Sequence, residues 1–219
     1  MWWLQFAVLV SSSRLPTLDE ICSDADQATL LQHFRAANGS ATGRKGSIAL
    51  VGSSGNLLFR GYGRSIDEHD VVIRVNGAMV RGYENDCGHD RHQVVVGWKL
   101  GLEDAIERHL LCCGALAVVT SPGQKLGHRS SAGNNTAVIL THEFMAKSHK
   151  LLGYAGMWPS TGFLALMAGL AVAQHLNARL SVYGFGACSP CNKYFDCDGS
   201  NSTDKGSQDS ERRGECAVC

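Results

Sequence analysis

SIALVGSSGNLLFRGYGRSIDEHDVVIRVN (47–76) is the stretch on which the reading of the fold turns. It opens with an apolar run, 47–52, that ends in Gly52, and it closes with a second run, 71–76. Short β-branched runs bounded by glycine read as strands buried on both faces. Between them, VGSSGN (51–56) lies just past the carboxyl end of a strand, where ligands bind in open α/β sheets. Gly52 and Gly55 allow a close backbone approach, and Ser53, Ser54 and Asn56 offer short hydrogen-bonding side chains. The plain alternative is a turn with a serine cap.

Several nucleotide and nucleophile motifs are excluded. The loop is not G-x-G-x-x-G, and the second strand ends in Asn76 instead of the acid that holds a dinucleotide ribose. No Gly-Lys-Ser/Thr follows, which rules out a P-loop, and the spacing is one residue short of G-x-S-x-G.

Further along, HQVVVG (92–97), ALAVVT (115–120) and LSVYGFG (180–186) read as strands. Residues 100–113 and 137–153 have helical spacing, and 121–136 form a long polar loop. Pro159, Ser160 and Thr161 open an apolar helix over 160–177, since proline and serine favour a helix start. Residues 19–35 read as an amphipathic helix with Ile21, Leu30, Leu31 and Phe34 inward. Strands alternating with helices predict an α/β fold, a mainly parallel sheet with helices on both faces. The chain divides into an N-terminal lead-in (1–46), one α/β domain (47–197) and a polar, cysteine-containing tail (198–219).

The 219 residues suit one domain, and 44% apolar with 18% charged residues is a globular composition. A formal net charge of zero with scattered basic residues argues against a nucleic-acid partner. MWWLQFAVLV (1–10) is apolar but shorter than the ~20 residues of a bilayer span, and reads as part of a signal anchor, a signal core or a packing segment. Sequons begin at Asn38, Asn134 and Asn201. Nine cysteines leave one over if all others pair. Cys188 and Cys191, with Cys216 and Cys219, have the spacing of a four-thiolate zinc loop; disulfides, with Cys197 as a further partner, and free thiols are the other readings.

Longer strings add a family resemblance. VGSSGNLLFRGYGRSIDEHDVVIRVNGAMVRGYENDCG (51–88) resembles the L motif of the sialyltransferases, PSTGFLALMAGLAVAQHLNARLSVYGFG (159–186) resembles their S motif, and KYFD (193–196) resembles their short motif III. The two long motifs stand in the right order. The resemblance implies a Rossmann-like sheet in a sialyltransferase-like catalytic domain. It implies a metal-independent, inverting transfer of sialic acid from CMP-sialic acid to a glycan hydroxyl on a glycoprotein or glycolipid. It also implies a Golgi type II membrane protein, anchored through its N-terminus. By the same resemblance Ser53, Ser54, Gly55, Asn56 and Asn76 meet the CMP part of the donor. Ser160, Thr161 and Gly162 meet it at a helix start, where free N–H groups and the helix dipole suit an anion. Lys193, beside Tyr194, stands where the family has a phosphate-serving histidine.

The sequence also departs from the family. The base position of the family's His-x4-Glu motif reads Ser210, no histidine follows His175, and His142 and His149 lie upstream. No catalytic base is identified, which leaves a non-catalytic CMP- or glycan-binding homologue as the alternative. The partners of the family's central disulfide read Ile48 and Asn177, a loss of about 2–4 kcal/mol of cross-link stabilisation. The family's loop asparagine is Ser53.

Overall fold

The computed structural model describes residues 17, 31–32, 46–76, 78–89, 93–97, 116–119, 136–139, 141–152, 159–186 and 191–197. Within these, six strands form one sheet: β1 (Ser47–Val51), β2 (Val71–Val75), β3 (Gln93–Gly97), β4 (Leu116–Val119), β5 (Thr136–Ile139) and β6 (Arg179–Tyr183). The order across the sheet is β5-β4-β3-β2-β1-β6, and every pairing is parallel. The chain steps outward from β1 through β5, then crosses back to lay β6 on the other side of β1. The order therefore reverses between β1 and β6.

Alternation along the strands divides the core in two. Ile48 and Leu50 of β1 join Val71, Ile73 and Val75 of β2 on one face. Two helices cover that face, α3 (His142–Leu152) and α4 (Thr161–His175). Ala49, Val51 and Val72 point the other way, against Leu57, Ile66, Cys87 and Tyr194. These come from a 3-10 turn (Gly55–Leu57), two short helices, α1 (Gly63–Asp67) and α2 (Glu84–Cys87), and a second 3-10 turn (Tyr194–Asp196). Helices on both faces of a parallel sheet is the architecture the alternation predicts. α4 is apolar around most of its circumference because it is sandwiched between the sheet and α3.

One expectation is corrected. The sequence pattern reads 137–153 as helical, whereas Thr136–Ile139 forms β5 and the helix starts at His142. Three of the four β5 residues are β-branched, and the run pairs along β4 from Leu116↔Thr136 to Val119↔Ile139. The Thr141 hydroxyl then accepts the Phe144 N–H at 3.1 Å, a cap that fixes where α3 begins. Residues 100–113, most of 121–136, and 19–35 apart from 31–32 lie outside the described residues. Among the described residues no helix is long and apolar enough to cross a membrane.

The charged residues of the 60–89 region build the crossover from β1 to β2. Asp70 Oδ2 accepts both the backbone N–H of Ser47, at 2.7 Å, and its hydroxyl, at 2.8 Å, pinning the start of β2 to the start of β1. Arg74 is buried on β2 and donates to the carbonyls of Cys87 (2.9 Å) and His89 (3.0 Å), at the carboxyl end of α2, where a cation suits the helix dipole. Asp67 of α1 accepts the His89 N–H at 2.7 Å and meets the His89 ring at 2.6 Å. The Asp86 carboxylate receives the N–H groups of Phe59 and Gly61. α1 and α2 touch backbone to backbone, for a Cβ on Gly63 would stand 1.9 Å from the Glu84 carbonyl oxygen and 2.7 Å from that of Asn85. Neither neighbour is a flexible side-chain end, so Gly63→Ala has to push the helices apart. We expect it to cost on the order of 2–3 kcal/mol in urea unfolding; a loss below about 0.5 kcal/mol, the range of neutral surface substitutions, would contradict this packing.

Candidate functional site

In open α/β sheets the crevice outside the carboxyl ends of the strands, where the strand order reverses, is the ligand position. Here that place lies between β1 and β6, and the residues singled out from the sequence can be located around it.

The hydrogen bonding of β1 to β6 continues beyond both strands. Gly52 N–H donates to Tyr183 O at 2.8 Å and Ser54 N–H to Gly184 O at 3.1 Å. The Ser54 hydroxyl donates to Gly186 O at 3.0 Å and accepts the Asn56 N–H at 3.4 Å, capping the 3-10 turn. The Asn56 amide donates to Phe185 O at 3.0 Å, while its Oδ1 is shielded from solvent and has no donor. Ser54 and Asn56 thus spend much of their hydrogen-bonding capacity in holding the turn against 184–186. The Ser53 hydroxyl is not used in this way.

Gly52 also differs from its sequence reading. Its bare face is filled by the protein and not left for a ligand: a Cβ there would lie 2.3 Å from Gly184 O and 2.9 Å from a Phe185 ring carbon. Gly55 is buried in the 3-10 turn.

Asn76 follows β2, exposed, at φ 56°, a left-handed conformation that asparagine tolerates better than most residues. Its N–H donates to Val96 O at 2.8 Å, continuing the β2–β3 ladder. It stands at the same carboxyl edge as the 52–56 turn, because Val51 pairs with Arg74 two residues earlier.

α4 begins at the same edge. Ser160 is its N-cap, with its Oγ accepting the Phe163 N–H at 3.2 Å. Pro159 is buried and Ser160 exposed. The N–H groups of Thr161 and Gly162 belong to the first turn and have no intrahelical acceptor. The helix start abuts the turn through a single side chain: Phe185, which fills the bare face of Gly52, also stands 3.1 Å from the Cβ position of Gly162. No signal in the sequence marked Phe185 except its place inside the Gly-Phe-Gly that ends the S motif.

Lys193 is brought to the turn by its backbone. It forms an antiparallel bridge with Ser54, and Tyr194 N–H donates to Ser53 O at 3.0 Å. The half-exposed Lys193 ammonium lies 3.9 Å from Asp196 and over the Phe195 ring. The Tyr194 side chain, by contrast, is fully buried: its hydroxyl donates to Met79 O and its ring meets Tyr83 and Phe195 edge-on. It supports the turn from beneath, and only its backbone reaches the edge. Cys191 and Cys197 form a disulfide around this segment. Cys191 is thus paired with Cys197, the disulfide reading of this cysteine; Cys188, Cys216 and Cys219, like Ser210, lie outside the described residues. Ile48 is a buried core residue and Asn177 an exposed one just past α4.

An open cavity of about 790 Å³ lies elsewhere, lined by Phe59, Arg64, Glu68, Asn85 and His89 among others, on the outer side of α1 and α2. Its carboxylates are engaged within the protein. Glu84, for example, is held below the usual carboxylate range by the backbone N–H groups of Glu84 and Gly82.

Residues 2–97 match the family model of glycosyltransferase family 29 (sialyltransferase). The chain is 30% identical over 164 residues to the chicken (Gallus gallus) CMP-N-acetylneuraminate-beta-galactosamide-alpha-2,3-sialyltransferase 1, covering 64% of this chain and 44% of the relative. It is 31% identical over 155 residues to the corresponding sialyltransferase 2 of Mus musculus, covering 64% and 43%. A shorter match, 52% identical over 42 residues, is to alpha-N-acetylgalactosaminide alpha-2,6-sialyltransferase 1 of Gallus gallus, covering 19% of this chain and 7% of the relative. The chain thus spans less than half the length of these curated relatives. The fold is similar to the crystal structure of a mammalian sialyltransferase, with TM-score 0.52 and 22% identity over 88% of this chain and 72% of that one. The crystal structure of a mammalian sialyltransferase in complex with Gal-beta-1-3GalNAc-ortho-nitrophenol gives TM-score 0.53 and 22% identity over 90% and 77%. The chain is thus similar to the sialyltransferases of glycosyltransferase family 29, in sequence over residues 2–97 and in fold over most of its length.

Proposed function

We propose that this chain binds the nucleotide of CMP-sialic acid at the carboxyl edge of β1, β2 and β6, and that the protein to which it belongs transfers sialic acid to a glycan hydroxyl with inversion. The observation that carries this reading is the meeting of the 52–56 turn and the amino end of α4 on one side chain, Phe185, at the point where the strand order reverses. A ligand there faces two kinds of group. Ser53, Asn56 and Asn76 are small and polar and suit the hydroxyls and amide edges of a nucleoside. The amino end of α4, with Ser160, Thr161 and Gly162, suits an anion.

In the displacement, the bond from the anomeric carbon to the phosphate oxygen breaks and CMP leaves with the electron pair. The leaving phosphate gains charge, and first-turn N–H groups already aimed at it stabilise that charge without reorganising. Lys193 adds a point charge if it exchanges Asp196 for the phosphate. These groups supply positive charge without a metal, and none is proposed. The acceptor hydroxyl must lose its proton to a base as it attacks. The Golgi lumen is the proposed compartment, with residues 1–10 as part of a membrane anchor. The sequons and the Cys191–Cys197 disulfide support an oxidising secretory route.

One observation favours a second reading, a CMP-binding protein without turnover: the position that the resemblance matches to the family's base reads Ser210. Two measurements separate the readings. Calorimetric titration with CMP should give saturable binding. Asn76→Gly, which keeps the backbone conformation, and Ser160→Gly, which largely keeps the cap, should each weaken it about tenfold, the scale of one lost hydrogen bond. Unchanged affinity in both variants contradicts the donor-site assignment. A transfer assay with CMP-sialic acid and Gal-β-1,3-GalNAc should then show sialylated product; binding without product selects the second reading.

A further inference from the structure

We propose that Phe185 is the positioning residue that sets the separation of the two halves of this nucleotide site; the inference rests on the preceding reading of the site. A Cβ on Gly52 would lie 2.9 Å from Phe185 Cε2 and 3.0 Å from Cδ2, and a Cβ on Gly162 would lie 3.1 Å from Cε1. Cδ2–Cε2 and Cδ1–Cε1 are opposite edges of one ring. The ring is therefore a spacer with bare backbone on each side, the turn after β1 on one and the first turn of α4 on the other. Any side chain at either glycine would have to move it.

The spacer is anchored from below. Phe185 O accepts the Asn56 amide at 3.0 Å, Gly184 O accepts the Ser54 N–H at 3.1 Å, and Gly186 O accepts the Ser54 hydroxyl at 3.0 Å. All three carbonyls of 184–186 are thus tied to the 52–56 turn, and the ring cannot shift toward α4 without drawing on those bonds. The ring is partly buried and packs with the core on the α4 side. Its width then fixes how far the polar turn that faces the nucleoside stands from the N–H groups that face the phosphate. A nucleotide bridging both is sensitive to that distance, because hydrogen bonds weaken steeply as their geometry departs from ideal.

Gly162→Ala gives the cleanest test. All three nearest atoms to its added methyl belong to Phe185, and alanine in a first helical turn does not weaken the helix. We expect Gly162→Ala to weaken CMP binding roughly tenfold, with a fall in melting temperature well below that of Gly63→Ala, whose methyl meets backbone instead of a ring edge. In a Phe185→Leu background, where the ring edge is gone, the same substitution should change affinity by less than about twofold, the limit of additivity for uncoupled sites. Equal effects in both backgrounds overturn the proposal. A second arm needs no ligand. Phe185→Ala should speed amide hydrogen exchange both at Leu57, whose N–H donates to Ser54 O, and at Leu164, whose N–H donates to Ser160 O, while Val95 and Val96 of β3 are unchanged. Faster exchange at one segment alone, or equally throughout the sheet, overturns the spacer role. If the unsubstituted protein does not bind CMP, the reading of the site fails and the exchange arm alone decides on Phe185.

Discussion

Five residues of β1 pair with five of β6, from Ser47↔Arg179 to Val51↔Tyr183, and the hydrogen bonding does not stop where the strands do. It runs on through Gly52, Ser54 and Asn56 to 183–186, so the polar turn and the segment after β6 form one hydrogen-bonded unit. β6 reaches its place only because α4 carries the chain back across the sheet. The same connection leaves the amino end of α4 at the carboxyl edge, against that unit. If β6 lay anywhere else in the sheet, the turn and the helix start would be separated, and neither alone is more than a common local feature. The site is in this sense a product of topology, assembled from segments more than a hundred residues apart in the chain.

The residues between 47 and 89 divide into two physical jobs. Ser47 with Asp70, Asp67 with His89, Arg74 with the α2 carbonyls, Asp86 with the loop N–H groups and Gly63 at the α1–α2 contact all hold the crossover from β1 to β2 in one arrangement. Ser53, Asn56 and Asn76 stand at the edge that this arrangement presents. Buried polar contacts of this kind stabilise only when each partner is satisfied, and here a carboxylate or guanidinium meets backbone groups at nearly every step. The charges of the motif serve the frame more than the ligand.

Much of the fold was legible in the sequence because strands and helices here announce themselves by period and by glycine. β1, β2 and β6 were read nearly in full, and the α4 start at Pro159-Ser160-Thr161 was read to within a residue. β5 was missed because a threonine and three apolar residues beside a helix have no period of their own, and only pairing to β4 decides them. Of the site, the residue types were legible but not their commitments. Nothing in a linear reading shows that the Tyr194 ring is buried, that Gly52 is filled by Phe185, or that Cys191 chooses Cys197. Each depends on a partner brought close by the fold.

The chemistry asked of this edge is modest in kind: orient a nucleotide, neutralise a leaving phosphate and let a glycan approach. An amide-resolved titration of the protein with CMP tests the central claim most directly. The account predicts that signals from 53–56, Asn76 and 161–163 shift together along one saturation curve, with those lining the α1–α2 cavity unmoved. Shifts confined to the cavity around Phe59 and Asn85, or to one of the two segments without the other, would contradict it.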